Sequence, residues 1–210
     1  DFDLVGENCF YTDDTVLTIA TADAVLNNLD FGEMYMEYAN IYPYNSYGVR
    51  FTNWYLRKDL KPYNSFGNGS AMRISPVGYG FDSLDLTLEK AKNSAEVTHN
   101  HPEGIKGAQT VASAIFLART GKSKDEIKSF VENKFDYNLS RTLEEIRPVY
   151  NFDETCQGSV PEAIIAFLES KNYEDALKNA ITLGGDADTQ ACIAGGIAEA
   201  YYKNIPEKLL

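Results

Sequence analysis

The sequence predicts an all-α protein, and three observations carry this prediction. Apolar residues recur with helical spacing in several segments, capping residues stand in front of many of them, and no sustained alternation of apolar and polar residues indicates a strand. With 210 residues, of which 44% are hydrophobic, the chain is long enough to bury its own core. We therefore expect a single domain over residues 1–210.

The predicted helices of the first half flank an aromatic-rich stretch. Thr12 precedes two acids and an apolar-periodic segment, which predicts a helix that runs to about Asn27. Residues 34–80, rich in tyrosine, asparagine, glycine and proline, are expected to hold short helices and functional loops. Residues 84–97 predict a further helix, and residues 102–119 predict a long one.

The second half carries clearer capping signals. Ser123 and Glu126 form a capping box, in which the two side chains satisfy the first amides of a helix. Ser159, followed by Pro161, repeats this signal. We predict four helices here: one from the capping box to about residue 135, and others over 163–170, 173–183 and 188–203, the third ending in a left-handed turn at 184–185.

The charge and cysteine patterns exclude several classes of function. Nineteen Lys and Arg residues stand against 31 Asp and Glu, which gives a net charge of −12, and no basic cluster is present. General nucleic-acid binding is not expected, because phosphates require clustered cations. No apolar run approaches the roughly 20 residues that cross a bilayer, so we predict no membrane association. The three cysteines are far apart and odd in number, which is typical of a reducing cytoplasm, and we predict a cytoplasmic protein.

Two acidic stretches begin predicted helices. Residues 12–15 read Thr-Asp-Asp-Thr, and residues 184–189 read Gly-Gly-Asp-Ala-Asp-Thr. Such acids can simply cap a helix and favour the positive end of its dipole. Their oxygens are also the ligands that hard divalent cations such as Mg²⁺ prefer. If the two stretches meet in space, four carboxylates converge and need cations to neutralise them. Two ions about 4 Å apart can orient a water and polarise a substrate oxygen.

Two polar segments lie between these acidic stretches. Residues 65–73 read Ser-Phe-Gly-Asn-Gly-Ser-Ala-Met-Arg, and small residues of this kind either form a structural turn or expose backbone amides to a phosphate. Residues 98–102, Thr-His-Asn-His-Pro, hold both histidines. They indicate either a polar loop that caps the following helix or a hydrogen bond from His99 to a ligand, whereas a zinc site needs more ligands than are available.

The four segments, in this order, resemble the ADP-ribosylglycohydrolase family. The matching stretches are residues 10–20, 63–73, 98–108 and 183–189, and residues 140–148 with 160–163 are similar to short bacterial members. The resemblance implies an all-α orthogonal helical bundle with a cleft that holds two Mg²⁺ ions, or Mn²⁺. It also implies hydrolysis of the bond between C1″ of ADP-ribose and an acceptor, often an arginine side chain. ADP-ribose or an ADP-ribosylated protein is therefore the expected partner.

The resemblance also implies roles for individual residues. Asp14 is a candidate to accept the proton of the attacking water, and Asp188 would bridge both ions. Gly48 would bring backbone close to the distal ribose, and aromatic residues of the 34–66 segment, Phe66 among them, are candidates to stack on adenine. The implied metal ligands are Thr12, Asp13, Asp14, Asp186, Asp188 and Thr189, and the implied ADP-ribose contacts are Ser65, Phe66, Gly67, Asn68 and Gly69, which form a diphosphate loop, with His99.

One departure from the family pattern leaves alternatives open. Family members usually begin with a helix that carries a Gly-Asp-x-x-Gly-Ser-like motif, followed by a glutamate that some of them use in catalysis. The present sequence starts beyond that motif and stops short at its C-terminal end, and Glu7 has no motif support as a substitute. The alternatives are a catalytically impaired ADP-ribose-binding protein and a helical interaction protein whose acids only cap helices.

Overall fold

A computed structural model describes residues 2–7, 9–58 and 60–209, so the two ends of the predicted domain, residues 1 and 210, lie outside it. The described residues form helices, and their only pairing of extended backbone is an isolated bridge between Gly67 and Thr155. The prediction of an all-α fold is confirmed. The helices are α1 (Asp13–Asn27), α2 (Phe31–Ile41), α3 (Val49–Arg57), α4 (Gly69–Met72), α5 (Ser75–Gly80), α6 (Leu84–Glu96), α7 (Pro102–Arg119), α8 (Lys124–Phe135), α9 (Leu143–Ile146), α10 (Cys156–Leu168), α11 (Tyr173–Ile181) and α12 (Ala187–Tyr202), followed by a 3₁₀ turn at Glu207–Leu209.

Most of these helices lie where the sequence predicts them. The bounds of α7 are those predicted, and α1, α6, α11 and α12 differ from the prediction by at most a residue or two at each end. In α8 both bonds of the capping box are present, because the Ser123 hydroxyl accepts from the Glu126 amide and the Glu126 carboxylate accepts from the Ser123 amide. The aromatic stretch holds α3 to α5 and most of α2, which begins just before it at Phe31.

The helix predicted over 163–170 begins earlier than expected, so this prediction was wrong at its N-terminal end. Thr155, rather than Ser159, caps α10 by accepting a hydrogen bond from the Gly158 amide. Ser159 instead donates its hydroxyl to the Thr155 carbonyl. Pro161 therefore lies inside the helix, where it removes one amide from the hydrogen-bond ladder. The helix tolerates this loss because it is almost entirely buried, and packing rather than local propensity fixes its length.

Helix α7 forms the centre of the main core and packs against α4, α5, α6, α8, α10 and α12. Its buried face consists largely of small residues such as Ala108, Ala112 and Ala114, which let neighbouring helices come close. At the contact with α5 the fit excludes even a methyl group, because a Cβ at Gly78 would lie 2.6 Å from Ile115. No helix among the described residues combines the length and apolarity that spanning a membrane demands.

A second, aromatic core lies under α1, α2 and α3 and includes the buried side chains of Tyr35 and Trp54. Helix α4 joins the two cores, since Ala71 belongs to the main core and the adjacent Met72 belongs to the aromatic one. Helices α1 and α12 both contact α4 and each other. The junction of the two cores therefore brings the acidic starts of α1 and α12 to one region.

Candidate active site

The two acidic stretches line a single cavity of about 610 Å³. Asp13 and Asp14 stand in the first turn of α1, Asp186 is the N-cap residue of α12, and Asp188 follows in the first turn of that helix. Asp14 is buried, whereas Asp188 is exposed. Thr189, also buried, lines the same cavity. The fold thus gathers four carboxylates that the sequence can place only as two separate pairs.

The polar N-cap residues beside this cavity do not cap their helices. The Thr12 hydroxyl donates to Asp14 Oδ2 at 3.1 Å, and the side-chain amide of Asn68, the N-cap residue of α4, donates to Asp186 Oδ2 at 2.8 Å. Asp186 itself accepts no amide of α12. Asp186 is therefore not a simple helix cap, whereas Asp13, Asp14 and Asp188 lie in first turns, where acids also favour the positive end of the helix dipole. Elsewhere in the described chain every polar N-cap side chain accepts a backbone amide of its own helix: Asp30, Ser83, His101, Ser123, Thr142, Thr155 and Asn172.

Burial and repulsion from neighbouring carboxylates raise the pKa values of Asp13, Asp14 and Asp186. Burial, followed by the charge of Asp14, raises the pKa of Asp13 to about 8. Burial and the charge of Asp188 raise the pKa of Asp14 to about 7. Burial also raises the pKa of Asp186 to about 6, although the hydrogen bond from Asn68 opposes this. Ionising all four groups is therefore costly unless a cation compensates their charge.

The donor set of the cavity fits hard divalent cations. Carboxylate and hydroxyl oxygens are the ligands that Mg²⁺ and Mn²⁺ prefer. Asp14 Oδ1 is buried and has no hydrogen-bond partner within the described residues, so a ligand atom is available that the protein itself leaves unpaired. As they stand, no three His, Cys, Asp or Glu side chains in the described ranges are gathered closely enough to hold one ion. This spacing agrees with repulsion among the carboxylates, which a bound cation would relieve.

The predicted diphosphate loop forms another wall of the cavity. On one side the Ser65 amide donates to the Thr98 carbonyl at 3.4 Å, and on the other the Asn68 amide donates to the Glu154 carbonyl at 2.8 Å. The Gly69 amide has no acceptor within the described part of the chain, so it is available to a ligand. The loop residues that line the cavity are Ser65, Gly67, Asn68 and Gly69.

The structure places Phe66 outside this cavity wall, against the expectation that it stacks on adenine there. Its ring instead contacts His101 edge to face, with ring centroids 5.3 Å apart. Ser65, Gly67, Asn68 and Gly69 line the cavity, whereas Phe66 does not. The aromatic residues of the 34–66 segment that do line the cavity are Tyr47, Phe51 and Tyr63.

The two histidines have different surroundings. His99 lines the cavity, and its Nδ1 lies 2.7 Å from Thr98 Oγ1. Burial, followed by the charge of Arg73, holds the pKa of His99 well below its usual range, so the ring is neutral. His101 instead caps α7, since its Nδ1 accepts from the Glu103 amide at 3.1 Å. The sequence left two interpretations of this segment open, and the structure assigns the capping loop to His101 and the cavity position to His99.

The remaining predicted residues lie on two different cavities. Gly48 lines the first one, and a Cβ there would meet no atom within 4 Å, so the backbone is open to a ligand. Thr12 lines a neighbouring cavity of about 560 Å³ instead, which shares Asp14 and Asp188 with the first. The walls of this second cavity come from α1, α5, α11 and α12 and the residues just before α1, and they include Phe10, Tyr79 and Leu177.

Sequence reasoning missed several residues of the first cavity. Arg50 lines it and stacks on Tyr63, with its Cζ 5.0 Å from the ring centroid. Phe152 and Glu154 also line it and come from the loop before α10. That loop carries no motif, and only its pairing with the 65–69 loop brings it to the cavity. Among these missed residues, only Arg50 had a signal in the sequence, namely its position two residues after Gly48.

Comparison with known proteins identifies the family. ADP-ribosylhydrolase ARH3 from Bos taurus is 28% identical over a 264-residue alignment that covers 94% of this chain and 72% of the relative. ADP-ribosylarginine hydrolase Tri1 from Pseudomonas putida is 25% identical and is matched over 95% of this chain and 62% of its own. A solved structure described as an ADP-ribosylglycohydrolase-related protein complex has the same fold, with a TM-score of 0.78 at 23% identity over 95% of this chain and 74% of the other. The sequence model of the ADP-ribosylglycohydrolase family matches residues 2–210, and this chain therefore belongs to that family.

Proposed function

We propose that this protein hydrolyses the glycosidic bond between C1″ of ADP-ribose and an acceptor side chain, with two divalent cations held by the carboxylates of α1 and α12. Glycohydrolase activity follows from the family, and the relatives named above are ADP-ribosyl and ADP-ribosylarginine hydrolases. One observation carries the finer proposal. The four carboxylates and the glycine-containing 65–69 loop line the same cavity, so cations that bind ribose hydroxyls and a diphosphate can be held side by side.

The proposed cation ligands are the four aspartates together with Thr12 and Thr189. When bound, the cations, Mg²⁺ or Mn²⁺, supply Lewis acidity and neutralise the clustered negative charge. The Asn68 amide orients Asp186 by donating to Oδ2, and the Thr12 hydroxyl orients Asp14 in the same way. Supporting hydrogen bonds of this kind fix ligand geometry in metal sites.

The side chains of the cavity divide the remaining work. Asp14 lines the cavity beside the other proposed cation ligands, and we assign it the role of taking the proton of the attacking water. The Gly69 amide and the ring of His99 face a ligand in the 65–69 loop, which would hold the diphosphate. Tyr47 and Phe51 offer apolar surface for the adenine. A volume of about 610 Å³ suits a ligand of this size.

The test is release of ADP-ribose from purified ADP-ribosylated peptides, one arginine-linked and one serine-linked. We expect turnover with Mg²⁺, no turnover with excess chelator, and loss of turnover in Asp188→Ala with the fold retained by circular dichroism. Asp82→Ala, which removes an exposed carboxylate in the loop before α6, is the matched control and should keep full activity.

Two results would change the conclusion. Turnover that survives in Asp188→Ala, or in excess chelator, would overturn the proposed metal-assisted reaction. Calorimetric binding of ADP-ribose without release from either peptide would favour the alternative of a binding protein with impaired catalysis.

The cytoplasmic location stays part of the proposal, supported by Cys9, Cys156 and Cys192 being unpaired.

A further inference from the structure

A fully buried arginine lies at the back of the cavity. Arg73 follows α4 directly, and its Cζ stands 4.0 Å from the ring centroid of Tyr35. Its Nη2 donates to the Ser94 carbonyl at 3.3 Å and to Thr98 Oγ1 at 2.9 Å. Nε and Nη1 have no hydrogen-bond partner among the described residues. Burying a guanidinium in this way is costly, so a function for its charge has to be sought in the groups it contacts.

The hydroxyl of Thr98 connects this arginine to a ring that lines the cavity. A hydroxyl has one hydrogen to donate and two lone pairs that accept. The guanidinium can only donate, so it occupies one lone pair of Thr98 Oγ1. The other hydrogen bond of Thr98 Oγ1 is the one to His99 Nδ1, 2.7 Å away. We infer that Nδ1 accepts the hydrogen of the Thr98 hydroxyl, because this arrangement gives both the guanidinium and the hydroxyl an acceptor.

The other ring nitrogen of His99 faces the 65–69 loop. A Cβ at Gly69 would lie 3.2 Å from Nε2, and one at Gly67 would lie 3.7 Å from it. A neutral imidazole carries a single N–H, and hydrogen bonding at one nitrogen decides which of the two carries it. With Nδ1 accepting, the N–H is at Nε2 and points toward the loop.

We propose that Arg73 and Thr98 are positioning residues that fix the imidazole of His99 in its Nε2–H tautomer, so that Nε2 donates a hydrogen bond to a phosphate oxygen in the 65–69 loop. The identity of the acceptor rests on the proposed function, whereas the tautomer does not. With the opposite tautomer, a lone pair would face the anion and repel it.

The tautomer can be measured directly by long-range ¹H–¹⁵N correlation spectra of the ¹⁵N-histidine-labelled protein. The chain has only two histidines, so His101→Gln assigns both spin systems. His101 is an internal reference, because its Nδ1 accepts the Glu103 amide hydrogen and its own N–H is therefore at Nε2 when it is neutral. We expect the Nε2–H pattern for His99 in the wild type. A pattern with the proton on Nδ1 would overturn the proposal.

A matched pair of variants tests the connection. Thr98→Val removes the hydroxyl at nearly constant shape, and Thr98→Ser keeps it. We expect the valine variant to gain the Nδ1–H form and to bind ADP-ribose about tenfold more weakly by calorimetry, and the serine variant to keep the wild-type tautomer and affinity. Arg73→Gln, if it folds, should likewise increase the Nδ1–H form and weaken ADP-ribose binding.

The outcomes separate this proposal from the proposed function. A wild type that binds no ADP-ribose yet shows the Nε2–H pattern would count against the proposed function and support the positioning role. Thr98→Val with an unchanged tautomer would overturn the role of Thr98 even if ADP-ribose binds well. Should the valine variant not fold, the wild-type spectrum and the serine variant still decide, because a Nδ1–H pattern in either one contradicts the proposal.

Discussion

Replacing Asp13 by asparagine should flatten the pH dependence of stability of the metal-free protein and remove its response to Mg²⁺. The pKa of Asp13 is raised by burial to about 8 and that of Asp14 to about 7, against 3.8 for an ordinary aspartate. Near neutral pH the native state therefore holds protons that the unfolded chain has already lost. The free energy of unfolding then falls as the pH rises through these native pKa values. Asparagine has nearly the same shape but no proton to lose.

The size of the effect follows from the proton count. Asp13, with a pKa of about 8, is nearly fully protonated at pH 6.5 and about half protonated at pH 8. A proton held only by the native state changes the free energy of unfolding by about 1.4 kcal/mol per pH unit, so Asp13 contributes about 1.5 kcal/mol over this window. For a chain of this length that corresponds to a decrease in Tm of about 3–6 °C. Below pH 6.5 the lowered pKa of His99 acts in the opposite direction, because the unfolded chain then binds the extra proton.

Calorimetric melting at pH 6.5, 7, 7.5 and 8 measures the effect in chelator-treated wild type, Asp13→Asn and the exposed control Asp82→Asn. We expect the wild type and the control to lose stability as the pH rises and Asp13→Asn to lose clearly less. Added Mg²⁺ competes with protons for the carboxylates, so its stabilisation of the wild type should grow with pH, reaching about 2.7 kcal/mol at a hundred times the Kd. Parallel pH profiles of wild type and Asp13→Asn would refute the raised pKa, and equal stabilisation of both by Mg²⁺ would refute the cation site.

Three other substitutions test separate parts of the structure. Gly69→Ala would place a Cβ 3.2 Å from the cavity imidazole, so ADP-ribose binding should weaken while the Tm changes little, as calorimetry and melting would show. Asn68→Ala removes the amide that donates to Asp186, and titration should show weaker Mg²⁺ binding, about 10- to 100-fold, as expected when a supporting contact is lost. Gly78→Ala would force a Cβ to within 2.6 Å of Ile115 and should lower stability by about 1–3 kcal/mol in urea unfolding, with a Tm equal to that of wild type counting against the packing described for α5 and α7.

Helix positions could be predicted where local signals and packing agree. The capping box at Ser123 and Glu126 is local chemistry, and the structure contains both of its bonds. The start of α10 could not be predicted, because Ser159 and Pro161 imitate a helix start whereas the true cap is Thr155. The decisive factor there is burial among other helices, which no local pattern contains.

The sequence predicts which acidic residues could bind a cation, but not that they lie close together in the fold. Oxygen-rich stretches at 12–15 and 184–189 indicate cation ligands, yet their meeting depends on how α1 and α12 pack against α4. The cavity rim was not predictable, because Phe152 and Glu154 reach it only through backbone pairing of their loop with residues 66–68. The side on which the Phe66 ring lies was not predictable either, because it depends on the contact with His101.

The helix caps distinguish the acids of this site from acids that stabilise helices. A polar cap contributes about 1 kcal/mol, and most polar N-cap residues in the described chain make that bond. Thr12, Asn68 and Asp186 do not, because the first two donate to carboxylates and the third accepts one of those bonds. The absence of three side-chain caps and the repulsion among the clustered carboxylates each lower the stability of the metal-free protein. Local rules are broken where function constrains the residues, so the side chains that fail to cap indicate the site more specifically than the acids do.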